Sequence, residues 1–184
     1  KGDLLIQKNL AKSLRAIAKN GSRVFYEGWI AKAIVSEMQR GKGILNLRDL
    51  KNYQVKFRQP IVGHFQEYKI VSMPPPSSGG IHIVQMLNML KNEDFKKLRP
   101  HSTKTLHLIT EVMRRAFADR AELLGDPDYT NVPQKGLLSD KYALKLRASI
   151  DMKSATVSKS MSKSNAGFFE SNSTTHISIV DRDG

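Results

Sequence analysis

Apolar residues recur along most of this chain at helical spacing. Leu10, Leu14, Ile17 and Ala18 fall at i, i+4, i+7 and i+8, which makes one apolar face and predicts a helix over about Asn9 to Asn20. Asn9 is its expected cap and Gly21 its stop. A second predicted helix runs from about Trp29 to Arg40 and sets Ile30, Ala33, Ile34, Glu37 and Met38 on one side; Gly41-Lys42-Gly43 ends it. Asn46 then caps a short turn through Leu50 and Tyr53. Further on, Ile83, Val84, Leu87 and Leu90 predict a helix from Ile81 to Leu90. Leu106, Ile109, Met113, Phe117 and Leu124 predict the inward face of a long helix, about Thr103 to Leu124, closed by Gly125-Asp126-Pro127. Tyr142 to Ile150 reads as a shorter one.

Strand patterns are fewer. Val55-Lys56-Phe57-Arg58 alternates, with Pro60 confining it to an edge or bulge, and Tyr68-Lys69-Ile70-Val71-Ser72 is a second candidate. Near the end, Thr174 to Val180 is rich in β-branched residues, and Ile177 and Ile179 alternate with Ser178, which predicts a strand with one buried face. Asp183-Gly184 is a hairpin signal with no return strand after it. A lone strand leaves its backbone groups unpaired, so the chain is expected to be part of a larger protein. Between the last helix and this strand, Ser154 to Asn165 is rich in Ser and Lys and reads as a mobile linker.

The chain has 184 residues, 40% hydrophobic and 26% charged, ordinary for a globular domain large enough to bury a core. No apolar run approaches the roughly twenty residues of a membrane-spanning helix. Zero cysteines exclude disulfides and thiolate-ligated metal. The net charge of +13 raises nucleic acid or an anionic surface as a partner. The cations are scattered, however. The densest run, Lys141 to Lys163, holds one aromatic, Tyr142, and lacks the interleaved rings of a single-strand stacking platform. No nucleic-acid partner is expected.

Candidate chemistry concentrates at Thr174. Its hydroxyl is a weak nucleophile until a base takes its proton. As a chain N-terminus it would carry such a base itself, because an α-amino group with a pKa of about 7.7–8.0 is partly neutral near pH 7. Taken alone, Thr174 reads as an ordinary strand residue. His176 sits two positions on, on the same strand face, where it is either a supporting polar group or a structural residue. Thr175 packs or hydrogen-bonds in the strand. Gly79-Gly80 reads as a tight, close-packed turn in preference to an anion site. For Asp119 and Arg120 on the long helix, a structural ion pair or cap is the simpler role. His64, His82, His101 and His107 show no metal-ligand spacing.

Three segments together carry a family resemblance. Asn172-Ser173-Thr174-Thr175-His176-Ile177-Ser178-Ile179-Val180-Asp181 resembles the junction at which γ-glutamyltranspeptidase (glutathione hydrolase) precursors cut themselves. Ser72-Met73-Pro74-Pro75-Pro76-Ser77-Ser78-Gly79-Gly80-Ile81-His82 is similar to a signature of the family's large subunit. Ala118-Asp119-Arg120-Ala121-Glu122-Leu123-Leu124-Gly125-Asp126-Pro127-Asp128 is a third match, and the three stand in family order and spacing. The resemblance implies an N-terminal-nucleophile hydrolase: an α+β fold, here part of a four-layer αββα sandwich and mostly helical. It implies residues 1–153 as the C-terminal portion of the large subunit, 154–173 as a linker to the junction, and 174–184 as the first strand of the small subunit.

Carried over, the scissile bond is Ser173–Thr174 and the catalytic nucleophile is Thr174, with His176 and Thr175 as supporting residues. The implied reaction is attack on the γ-amide of glutathione or another γ-glutamyl compound, giving a γ-glutamyl ester that passes to water or to an amino-acid or peptide acceptor. No metal or organic cofactor is implied, and the implied location is periplasmic or secreted. The family's substrate-carboxylate Arg, its Asp for the α-amino group, its Ser-Ser pair and its Gly-Gly oxyanion hole lie in segments outside this sequence. The remainder of both subunits is thus an expected partner, and the 184 residues alone are expected to be inactive. Two other readings stay open: a related self-cleaving amidase, of the cephalosporin acylase or poly-γ-glutamate-cleaving type, and a non-enzymatic basic remnant or binding module.

Overall fold

The structure, a computed structural model, describes residues 2–158 and 161. The chain divides into two compact units, the first ending at Phe57 and the second beginning at Arg58.

The first unit is helical: α1 (Lys8–Asn20), α2 (Arg23–Tyr26), α3 (Trp29–Arg40) and α4 (Leu47–Asn52). Gly21 ends α1 at φ 69°, with its N–H on the Ile17 carbonyl at 2.8 Å; only glycine adopts that backbone freely. The cap at the other end is Gln7, without a side-chain hydrogen bond, and Asn9 lies inside the helix. The expected buried face of α1 is also corrected. No residue of α1 is buried, and Leu10 and Leu14 are 49% and 57% exposed. Within this unit α1 packs chiefly on the single-turn α2, too short to cover an apolar stripe of three turns. The α3 helix has the bounds the pattern gave, but its buried residues are Ile30, Ala31 and Val35; Ala33 and Glu37 face out, where Glu37 pairs with Arg40. The α4 helix carries a capping box. Asn46 Oδ1 accepts from Arg48 and Asp49 N–H, and Asp49 Oδ2 accepts from Asn46 N–H, so the orphan donors at this helix start are satisfied by side chains.

The second unit contains β1 (Ile61–Phe65), β2 (Tyr68–Ser72), α5 (Gly79–Leu90), α6 (Thr103–Leu123), α7 (Gln134–Leu137) and α8 (Asp140–Ala148). The β1 and β2 strands form an antiparallel hairpin with Ile61 opposite Ser72 and Phe65 opposite Tyr68. Val55–Arg58 is not a strand. No strand pairs with it among the described residues, and Phe57 is 99% exposed. Pairing begins only after Pro60, which has no N–H to give a ladder.

The α5 helix packs against the hairpin, α6, α7 and α8. One apolar cluster, under the hairpin, joins Ile61, Ile81, Val84, Val132 and Leu137; another joins Met89, Leu108, Val112, Ala143 and Ile150. Because α5 is contacted on several sides, residues all round it are buried, including His82, Gln85 and Asn88, while Ile83 is 43% exposed.

The α6 helix presents the largest departure. Its expected inward stripe of Leu106, Ile109, Met113 and Phe117 is exposed among the described residues. The buried stripe is Thr105, Leu108, Glu111, Val112, Arg115, Ala116 and Ala118. Counting apolar residues selects the wrong side, because the buried side contains an ion pair that satisfies itself.

Candidate functional site

Ser173, Thr174, Thr175 and His176 lie outside the described residues. The structure does describe the two other motif segments and the elements that carry them.

In the proline-rich segment the Pro75–Pro76 peptide is cis, and Ser77 N–H bonds the Pro74 carbonyl at 3.1 Å. The chain then enters α5 at Gly79-Gly80. A Cβ on Gly80 would sit 2.3 Å from the Met73 carbonyl oxygen and 3.2 Å from Ile61 Cβ. Gly80 is there because β1 and the proline segment approach the helix backbone closely, in agreement with the packed-turn reading. Gly63 plays the same part on β1, where a Cβ would meet Val84 Cγ1 at 2.6 Å.

The second motif spans the end of α6. Asp119 is held by neutral donors: the Tyr142 hydroxyl on α8, at 2.9 Å from Oδ1, and Gln85 Nε2 on α5. The Asp119 contacts are structural, made as hydrogen bonds to neutral donors and not as an ion pair or a cap, and the Arg120 guanidinium lies 5.7 Å from the Phe117 ring centroid. Burial raises the Asp119 pKa, and the bonds from Tyr142 and Gln85 oppose that rise. Burial also raises Tyr142, reinforced by its bond to Asp119, so the phenol remains a donor. Beyond the helix, Arg58 Nη2 reaches Asp128 Oδ2 at 2.9 Å and Asp126 Oδ1 at 3.5 Å, while Asp126 Oδ1 accepts from Asp128 N–H. The Gly-Asp-Pro-Asp turn is thereby fastened to the residue that leads into β1.

A third cluster was not anticipated. Glu111, 1% exposed, and Arg115, 5% exposed, pair on the inner face of α6, Oε2 to Nη1 at 2.7 Å. Arg114 also bonds Glu111. Burial alone would raise the Glu111 pKa; the Thr156 hydroxyl, Arg115 and Arg114 outweigh it and hold the carboxyl at about 2. The available signal was Glu-x-x-Arg-Arg on one helix, an i, i+3, i+4 pattern that reads equally as solvated surface. Thr156, its partner across the fold, lies in the segment read as a linker. Among the described residues no group of His, Asp and Glu is placed to hold a metal ion.

The sequence profile of the family described as Gamma-glutamyltranspeptidase matches residues 1–184. The chain belongs to the γ-glutamyltranspeptidase family. It is 47% identical to the glutathione hydrolase proenzyme of Escherichia coli (strain K12), an alignment covering all of this chain and 32% of that protein. It is similar to the crystal structure of Helicobacter pylori γ-glutamyltranspeptidase, with a TM-score of 0.80 and 41% identity over 95% of this chain and 50% of that one. It also resembles cephalosporin acylase from Bacillus halodurans, with a TM-score of 0.71 and 29% identity over 82% of this chain and 27% of that one. The chain thus spans about a third of the length of the E. coli relative. The mixed architecture of helices and a hairpin among the described residues is the fold of this part of γ-glutamyltranspeptidases, which are N-terminal-nucleophile hydrolases. Both described family motifs therefore do structural work here: one seats α5 on the hairpin, and the other ties α6 to α5, α8 and the entry to β1.

Proposed function

We propose that this chain forms the end of the large subunit and the start of the small subunit of a self-cleaving γ-glutamyl transferase and hydrolase. The observation that carries this reading is the Ser173-Thr174-Thr175-His176 junction within a family match over residues 1–184, beside a relative named a proenzyme. The Thr174 hydroxyl oxygen attacks the Ser173 carbonyl carbon. The C–N bond breaks, the hydroxyl proton passes to the departing nitrogen, and an ester replaces the amide. Water then cleaves the ester, leaving a carboxylate on Ser173 and a free hydroxyl and amino group on Thr174.

Before that cut the Thr174 nitrogen is an amide and cannot accept a proton. Afterwards it is an amine with a pKa of about 7.7–8.0 that serves as base for its own hydroxyl. Self-cleavage therefore creates the catalyst. In turnover Thr174 attacks the γ-amide carbonyl of glutathione or a related compound. The amine leaves, and the γ-glutamyl ester is taken by water or by an acceptor amine. His176 and Thr175 act as supporting residues beside Thr174. The rest of both subunits supplies the groups that hold the substrate and its oxyanion; losing a single oxyanion donor costs about 10²–10³ in rate, so these residues alone are inactive. We assign the mature protein to the periplasm or the medium, which cell fractionation tests. Among the described residues no helix is long and apolar enough to cross a membrane.

The test is steady-state release of an amine from a γ-glutamyl amide by the complete matured protein, with covalent labelling mapped by peptide mass. Turnover with label on Thr174 supports the reading. The similarity to cephalosporin acylase favours one alternative, a related amidase. Turnover only of an amide whose acyl group lacks the α-amino and α-carboxylate groups would establish that alternative instead.

A further inference from the structure

Thr156 stands in an irregular segment after α8, yet its N–H, carbonyl and hydroxyl are all bound to α6. Its N–H donates to Glu111 Oε1 at 3.3 Å, and its hydroxyl donates to Glu111 Oε2 at 2.6 Å. Its hydroxyl oxygen accepts from Arg115 Nη2 at 3.2 Å, and its carbonyl accepts from Arg114 Nη2 at 2.6 Å. Arg114 Nη2 also reaches Ser158 Oγ at 3.0 Å. Arg115 in turn is fixed to the end of α8, Nε to Ser149 Oγ and Nη2 to the Ser149 carbonyl, both at 2.8 Å. Three charged side chains thus converge on one threonine.

Stability alone is a poor account of that arrangement. Burying Glu111 with Arg115 incurs the desolvation of two charges, and well-packed apolar residues in their place are often as stabilising or more so. What a buried, fully hydrogen-bonded ion cluster adds is a single geometry. Here that geometry fixes the chain at Thr156 and Ser158, 17 and 15 residues before Ser173.

We propose that Glu111, Arg114 and Arg115, closed on Thr156, form a positioning clamp for self-cleavage at Ser173–Thr174. The clamp sets where and in which direction the chain leaves α6 for the junction. This inference rests on the cleavage reaction given above. The clamp does more than tether the chain. With Thr156 released, the preceding fixed point is Asp151, whose carbonyl lies 2.8 Å from His107 Nε2. With the Arg114 bond to Ser158 released as well, the run to Ser173 grows from 15 (158 to 173) to 22 residues (151 to 173). A −3/2-power dependence on length lowers the local concentration of the junction by only about 1.8-fold. Misplacement of reacting atoms costs far more, up to about 10²-fold for 1 Å.

The test follows cleavage of the freshly made complete precursor by intact mass in wild type, Thr156→Val, Thr156→Ser and Arg114→Lys. Thr156→Val keeps shape and removes the hydroxyl. Thr156→Ser restores the hydroxyl. Arg114→Lys keeps charge and loses the fork; its side chain is 25% exposed, so the fold tolerates it even where Thr156→Val does not. Two further readouts separate positioning from structure: the melting temperature of each variant in an uncleavable Thr174→Ala background, and kcat/KM of the matured enzyme. We expect Thr156→Val and Arg114→Lys to slow cleavage at least about fivefold, Thr156→Ser to cleave within about twofold of wild type, kcat/KM to stay near wild type in all, and the melting temperature to stay near wild type in Thr156→Ser and in Arg114→Lys. Cleavage within about twofold of wild type in both Thr156→Val and Arg114→Lys would overturn the inference, as would slowing in Arg114→Lys matched by lost thermal stability. A wild-type precursor that cuts elsewhere or not at all would overturn the proposed function itself, and the clamp with it.

Discussion

The Tyr142 hydroxyl on α8 donates to Asp119 Oδ1 on α6 at 2.9 Å, joining helices whose contact is not visible in their own patterns. Gln85 Nε2 on α5 meets the other oxygen, so one carboxylate ties three helices together. Tyr142→Phe removes a donor and leaves Asp119 to water on that side. The expected loss is about 1–2 kcal/mol, the range for one hydrogen bond to a partly accessible carboxylate, read as a lower melting temperature with no change in cleavage site. A variant as stable as wild type would mean that water replaces the phenol without cost.

Gly80 and Gly136 make a matched pair. Gly80→Ala drives a methyl to within 2.3 Å of the Met73 carbonyl oxygen, a backbone atom, and should cost at least about 1–3 kcal/mol by overpacking. Gly136 has nothing within 4 Å of its added Cβ. Gly136→Ala on α7 should be neutral, or stabilising by up to about 1 kcal/mol. Calorimetric melting of the two variants side by side checks both signs.

Glu111 makes stability depend on acid. Its ordinary carboxyl pKa of 4.5 is lowered to about 2 in the fold. A depressed folded pKa gives stability that is fully present above the unfolded value and is lost as pH falls through the folded one. The contribution should therefore decline between about pH 4.5 and about pH 2. Glu111→Gln breaks a buried pair and should cost about 3–5 kcal/mol at pH 7, with the gap to wild type closing across that window. Urea midpoints measured from pH 7 down to pH 2 test the sign; a gap independent of pH would contradict it.

The elements were more legible than their faces. The bounds of α3 and β2 follow from local signals, Gly41 after one and alternation in the other. The Asn46 cap needed only Asn followed three residues later by Asp. The α6 face was misread because Glu111 and Arg115 count as polar in a periodicity argument, whereas their mutual pairing makes them an interior feature. The α1 face failed for the opposite reason: a sound apolar stripe with too little of this unit to cover it. Of the proposed site, Thr174 was legible as a nucleophile only through a motif, since a threonine in a β-branched strand has no signature of its own. Thr156 carried no signal at all, because four hydrogen bonds to a distant helix leave no local trace.

Acid–base balance gives a further expectation for the matured enzyme. The base proposed at Thr174 is an amine with a pKa of about 7.7–8.0, active when neutral. kcat/KM should rise with pH through that range and level off above it, because protonation removes the acceptor. A profile flat from pH 6 to 9 would argue for a different base.

The most direct test of the central claim is the intact mass and N-terminal sequence of the products from the complete precursor, beside Thr174→Ala. The account predicts two fragments, the smaller beginning Thr174-Thr175-His176, with the alanine variant remaining a single chain. A precursor that stays whole while hydrolysing γ-glutamyl amides, or a fragment that begins at another residue, would contradict it.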